Sequence, residues 1–260
     1  EAEPRSFARG LKELDAEIER APGNALAHLW RGDIMMRLRD FAQAEKDLSR
    51  AIAQKGCPPE ALILRGRTRG ELGKWKAAFA DFDAAIERDP DSAFAYAWRG
   101  RARMLLGAHA PAIKDLDRAL ELETNSAWIL SWRGEAEFRL KRYAAAEASL
   151  SKAIEVHVRF ADAFLWRGAV RLLQGDRDGS MSDLNQALAL QPGNALALYY
   201  RGLLYLKHGF AAEGRADLAG ALESPGLLSP AGLKEIKALL RKPAPAAAAS
   251  APDELVEKAR

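Results

Sequence analysis

Trp30-Arg31-Gly32, Leu64-Arg65-Gly66, Trp98-Arg99-Gly100, Trp132-Arg133-Gly134, Trp166-Arg167-Gly168 and Tyr200-Arg201-Gly202 are six copies of one triplet. Their glycines stand 34 residues apart at every step, without slip. Self-similarity at a fixed period of this length marks a stack of identical supersecondary units, and it governs the reading of every local motif.

Outward from the triplet, each unit reads as helix, tight turn, helix, turn. The units are expected at 25–58, 59–92, 93–126, 127–160, 161–194 and 195–228. In the third, the first helix is expected from Ala93 to Leu106, with Gly107 as its C-cap. The second runs from about Ala110 to Leu122, with Pro111 in its first turn, where a missing N–H is harmless. Before the first unit, Phe7, Leu11, Leu14 and Ile18 recur at helical spacing on one face, so 1–24 reads as a half-unit with a helix from Pro4 to Pro22. After the last, Ser229 and Pro230 open a closing helix at 229–242, with Leu233, Ile236, Leu239 and Leu240 as its apolar stripe. Pro243 to Pro252 is a Pro/Ala linker, and Asp253 to Arg260 starts a further helix.

A glycine in mid-helix costs about 1 kcal/mol relative to alanine, so six of them need a packing reason. The second helices supply it with Ala44, Ala78, Ala112, Ala146, Ser180 and Gly214, and four residues later Leu48, Phe82, Leu116, Leu150, Leu184 and Leu218. Small residues against small ones, and large ones into the hole beside them, join two antiparallel helices.

The 34-residue helix-turn-helix unit, with Gly in its first helix, Ala and Leu or Phe in its second and Pro between units, resembles the tetratricopeptide repeat over about residues 5 to 242. The resemblance implies an all-α, right-handed α-solenoid whose first helices line a concave groove. It also implies a scaffold that binds other proteins or peptides. Period and spacing alone give only an α-solenoid.

Composition excludes several other classes. The net charge of +3 is small and Lys and Arg are interleaved with Asp and Glu, so no nucleic-acid partner is expected. No apolar run reaches membrane-spanning length. Cys57 is the single cysteine, so no intrachain disulfide or cysteine metal site can form. His28, His109, His157 and His208 occupy four different places in the unit and share no metal-ligand spacing. No phosphate loop or nucleophile elbow is present, so no catalysis, metal or cofactor is expected. The chain begins Glu1-Ala2-Glu3-Pro4, as a processed or excised segment would, and its Ala, Arg and Leu content points to a GC-rich bacterial genome. The expectation is a soluble protein of the bacterial cytoplasm or periplasm.

The three residues of the triplet separate by chemistry. Arg31, Arg65, Arg99, Arg167 and Arg201 each have an Asp sixteen residues on, at Asp47, Asp81, Asp115, Asp183 and Asp217. Arg133 finds Ser149 there instead, with Glu147 two residues earlier. Ion pairs within each hairpin are expected; the competing reading is an arginine ladder for anionic ligands. The aromatic lies about 200° from the hairpin face, at roughly 100° per residue, and points to the inner wall. Two readings of Trp30, Leu64, Trp98, Trp132, Trp166 and Tyr200 stand: rings laid flat as packing between units, or rings open to a ligand. Along the same wall run Asp33, Arg67 and Arg101, then Arg37, Glu71, Leu105 and Arg139.

The candidate partner site is therefore Trp30, Trp98, Arg101, Trp132, Arg139, Trp166 and Tyr200. Its expected partner is a protein or peptide with an apolar anchor, oriented by flanking charges. By comparison with the family, neither the residues of a chaperone carboxylate clamp nor the Asn ladder of protein O-glycosyltransferases is present. Alternative readings are the repeat arm of a larger enzyme of glycosyltransferase type, or a glycan-binding groove. Self-association through the N-terminal half-unit is a further expectation.

Overall fold

A computed structural model describes residues 2–224, 226 and 228–241. Among these residues there are fourteen helices and no strand. Helix α1 (Ala2–Arg20) precedes six pairs: α2 (Ala25–Arg37) with α3 (Phe41–Ala53), α4 (Glu60–Glu71) with α5 (Trp75–Arg88), and α6 (Ala93–Leu105) with α7 (His109–Leu122). Then come α8 (Ala127–Arg139) with α9 (Tyr143–Val156), α10 (Ala161–Gln174) with α11 (Arg177–Leu190), and α12 (Ala195–Lys207) with α13 (Ala211–Glu223). Helix α14 (Pro230–Arg241) packs on α13. The Pro/Ala linker and the helix expected after it lie outside the described residues.

The chain divides into two compact units, Glu1–Thr124 and Asn125–Arg260, parted at the turn joining α7 to α8. In the first, α2, α4 and α6 lie side by side, each packed on its own second helix. In the second, α8, α10 and α12 do the same.

Local chemistry explains where helices start and stop. Asn24, Asp40, Ser92, Asp176 and Asn194 each cap a helix by accepting a backbone N–H of its first turn. Ser229 accepts the N–H of Gly232 at 3.1 Å and caps α14. Between paired helices one residue adopts a left-handed conformation: Gly73, Gly107, Gly175 and Gly209, but also Arg39 at φ 63° and Lys141 at φ 60°. All six share one place in the period, and the two non-glycines cost about 1–2 kcal/mol each there.

The glycine of each triplet sits where its hairpin closes. A Cβ on Gly134 would lie 2.5 Å from Leu150 Cγ, and one on Gly66 would lie 2.7 Å from Phe82 Cε1. The leucine or phenylalanine opposite is buried in all six pairs.

The triplet arginine is a fork with two sets of prongs. Arg99 Nε and Nη2 donate to Asp115 at 3.0 and 2.7 Å, while its Nη1 donates to Asp83 at 2.7 Å. Arg31, Arg65, Arg167 and Arg201 likewise bond the aspartate sixteen residues on. Each also bonds a residue sixteen back, on the preceding second helix or α1: Asp15, Ser49, Ser151 and Asn185. The expected ion pairs thus close the hairpins. The backward prong, which adds a tie to the preceding element, has no counterpart in the sequence reading.

The fourth pair departs from this pattern by exchanging charges. In three other pairs a second arginine one turn on reaches the same aspartate: Arg69 to Asp81, Arg103 to Asp115 and Arg171 to Asp183, at 2.8, 2.6 and 2.8 Å. In α8 that place holds Glu137, and the aspartate is Ser149. Ser149 Oγ donates to Glu137 at 2.6 Å and accepts from Arg133 Nε at 3.1 Å. Glu137, and not the Glu147 that stands near Ser149 in sequence, therefore supplies the local acid; Glu147 pairs with Arg171 at 2.9 Å. Reversing the exchange is a test. Glu137→Arg takes the carboxylate from Ser149 and sets a second guanidinium beside Arg133, and Ser149→Asp sets a buried aspartate against Glu137. Each alone should lower stability by about 2–4 kcal/mol, whereas the double variant recreates the arrangement of the second, third and fifth pairs. A urea-unfolding double-mutant cycle should return a coupling of about 2–3 kcal/mol; additive losses would refute the exchange.

Candidate functional site

The first helices present a different wall in each of the two units. In the second unit it is closed. Trp166 is only 4% exposed. Its ring packs against Phe138 at 5.3 Å and Tyr200 at 6.3 Å between centroids, and the Arg139 guanidinium lies 5.1 Å above it. Of the two readings of the ladder, packing therefore holds for Trp166. Tyr200 is half-buried and also meets Phe138 and Tyr199. Burial pushes its phenol up to about 12, with Arg139 opposing and Glu135 reinforcing. Tyr199 in turn donates to Glu235 of α14 at 2.6 Å, so the closing helix is tied to the edge of this cluster. Trp132 is half-buried and stands edge-on to Trp128 at 4.7 Å. Arg139 is exposed on its outer side and pairs with Glu135 at 3.7 Å.

In the first unit the wall is open. Trp30 is 56% exposed, beside the exposed Leu26 one turn back. Beyond it, α2, α4 and α6 border a cleft of about 790 Å³ lined by Asp33, Arg37, Arg67, Glu71, Trp98 and Arg101, among others. Trp98 is half-buried and forms part of the cleft's apolar surface, with Phe94 edge-on at 6.0 Å. Two of the predicted residues, Trp98 and Arg101, thus meet in one concavity, while Trp30 stands outside its lining.

The difference between the two walls lies one turn beyond the triplet glycine. Phe138, whose ring covers Trp166, stands 28 residues before it. Gly70 stands 28 residues before Trp98 and has no side chain to cover it. The Trp75 ring comes within reach of Gly70 from the other side, 3.1 Å from where its Cβ would be, and makes the floor of the cleft.

The charges of the cleft are uneven. Arg37, Arg39, Arg67 and Arg101 line it against Asp33 and Glu71. Arg37 is held by Asp33 at 2.9 Å. Arg39 holds its left-handed backbone with the guanidinium 5.7 Å from the centre of the Phe41 ring. Arg67 is half-buried and lies 3.9 Å above the centre of the Trp98 ring, a close cation–π contact. Burial draws its guanidinium below the usual arginine range; Asp33 opposes this and Arg37 adds to it. The sequence reading placed Arg67 on the wall and did not single it out, nor Phe138, Trp75 or Phe41.

The histidines and the cysteine have structural surroundings. His28 is buried in the first hairpin, where its Nε2 lies 3.0 Å from the carbonyl of Pro22 and its Nδ1 3.7 Å from Asp47. Cys57 lies in the turn before α4, and burial pushes its thiol up. Among the described residues no cluster of His, Cys, Asp or Glu has the makings of a metal site, and no helix is long and apolar enough to cross a membrane.

A tetratricopeptide repeat profile matches residues 5–61, 63–127 and 132–184, more than half of the sequence. The chain belongs to the tetratricopeptide repeat family. No curated protein sequence matches it. Among solved tetratricopeptide repeat structures it is similar to a thermophilic protein of Thermus thermophilus, at 27% identity and a TM-score of 0.60, over 70% of this chain and 98% of that one. A protein from Parabacteroides merdae superposes with a TM-score of 0.70 at 20% identity, over 92% of this chain and 93% of that one. The Cut9–Hcn1 assembly of the APC/C superposes with a TM-score of 0.80 at 18% identity, over 91% of this chain. The chain spans 46% of that protein's length. Tetratricopeptide repeats are in general non-catalytic scaffolds for protein partners.

Proposed function

We propose that the chain is a non-catalytic scaffold that holds a segment of another protein against the inner wall of its first helices, chiefly in the cleft of the first unit. The observation that carries this reading is the 790 Å³ concavity, lined by both apolar and charged side chains. A few convergent polar groups around an apolar pocket are the usual form of a recognition site. Trp98 offers the anchor surface and Arg101 a flanking charge, with the open face of Trp30 extending the wall. In the second unit Trp132 and Arg139 offer a smaller surface, and Trp166 and Tyr200 act as its fixed backing.

The test starts from peptides selected against the whole chain by display. Their affinity should fall at least about tenfold in Trp98→Ala, the scale of one lost anchor. It should fall similarly in Gly70→Phe, which sets a ring where the second unit has Phe138 and fills the cleft. Both variants should keep the helical circular dichroism of the parent. If selection enriches no peptide, or if both folded variants bind as the parent does, the proposal fails.

A further inference from the structure

Arg67 differs from the arginines that tie the hairpins together. The triplet arginines are each satisfied by an aspartate or, at Arg133, by Ser149 and Glu137. Arg69, Arg103 and Arg171 share those aspartates. Arg67 is half-buried, yet no carboxylate of the described residues lies within ion-pairing distance of it. Asp33 and Glu71 act on it only through space. Its guanidinium sits over Trp98, 3.9 Å from the ring centre, and its N–H groups meet no anion among the described residues. A desolvated guanidinium binds a carboxylate more strongly than a hydrated one, and its planar fork suits two parallel hydrogen bonds.

Position decides what sort of carboxylate fits. Arg67 is on α4, the middle of the three helices that border the cleft. Neighbouring helix axes are about 8–10 Å apart, so a strand crossing from α2 to α6 covers about 16–20 Å, or roughly five to six extended residues. The group meeting Arg67 then lies mid-strand and belongs to a side chain. The four arginines of the lining against two acids favour the same sign of partner.

We infer that the first-unit cleft takes an extended peptide carrying an internal Asp or Glu side chain beside an apolar anchor. The carboxylate pairs with Arg67 while the anchor packs on Trp98. This inference rests on the proposed peptide-binding role of the cleft and adds its selectivity.

The experiment uses the full chain and pools of acetylated, amidated decapeptides with randomised flanks. Each pool has a fixed central pair: Glu-Leu, Gln-Leu or Lys-Leu. A fourth pool carries its only acid as a free C-terminal carboxylate. Retention should favour the Glu-Leu pool by about tenfold, as for one charge-assisted contact. Arg67→Gln should erase that preference, whereas Trp98→Ala should weaken every pool. Comparison of the pools on the unaltered chain is a readout that needs no variant to fold. Equal retention of the first three pools, an acid preference that survives Arg67→Gln, or a winning free-carboxylate pool would overturn the inference. In those cases binding still depends on Trp98. If no pool binds in a Trp98-dependent way, the peptide-binding role itself falls, and this inference with it.

Discussion

Replacing Asp81 by alanine is expected to remove about 3–5 kcal/mol of stability from the first unit, the usual cost of breaking a buried ion pair by deleting one partner. Asp81 is 3% exposed and accepts from two arginines at once: Arg65 at 2.7 Å and Arg69 at 2.8 Å. Truncation leaves both guanidinium groups facing a methyl group. Arg65 keeps only Ser49, at 3.3 Å, and Arg69 keeps Glu45, at 3.0 Å. The loss is large beside the 5–15 kcal/mol typical of whole domains, so partial unfolding near room temperature is the expected phenotype. Asp217→Ala is the internal comparison. The place of the second arginine there is Tyr205, so a single guanidinium is stranded and the loss should be about half as great. Urea midpoints of the two variants measure the difference. Equal losses would mean that the second arginine adds nothing to the buried site.

Phe82→Ala is the second large effect, at about 3–5 kcal/mol. Phe82 is 2% exposed and fills the hole above Gly66, where the other five pairs use leucine. It lies in the cluster with Leu62, Ile63, Ala78 and Ala95 and meets Phe79 edge-on at 6.5 Å. Alanine leaves a cavity that rigid neighbouring helices cannot fill. Leucine, which closes every other hairpin of the chain, should cost only about 1–2 kcal/mol. Thermal and urea unfolding of the two variants distinguishes a shape effect from simple loss of an aromatic. If Phe82→Leu were as damaging as Phe82→Ala, ring packing and not hairpin closure would dominate at this place.

Much of the fold was legible because its contacts repeat. The glycine of each triplet and the leucine sixteen residues later, or Phe82 in the second pair, recur together, and so do the arginine and its aspartate. The Ser229–Pro230 start of the closing helix follows from capping chemistry alone. The backward prong of the arginine fork was hidden by its variety. Asp15, Ser49, Asp83, Ser151 and Asn185 share a place and the capacity to accept a hydrogen bond, but no single residue type. The charge exchange at Glu137 and Ser149 was hidden for a related reason: the acid crossed to the other helix, and the nearest acid in sequence was the wrong one.

The candidate site was legible as a wall but not as open or closed. Whether a triplet aromatic is covered depends on a residue of the preceding first helix, Phe138 in one case and Gly70 in the other. The sequence reading weighed packing between units but did not compare the residues that would meet each ring, so Trp166 and Trp98 looked alike. Comparing residues 28 apart would have separated them.

The two-sided arginine fork gives the stack a polarity under fraying. Melting α1 would take Asp15 from Arg31 and leave its Nη1 without an acceptor at the new edge, while Asp47 keeps the charge paired. Melting the last pair removes Arg201 instead, and the surface left behind loses only a donor to the neutral amide of Asn185. Peeling from one end uncovers a guanidinium donor and peeling from the other uncovers an amide acceptor. The ends of a stack built from one repeated unit are thus chemically unequal, one short of an acceptor and the other short of a donor.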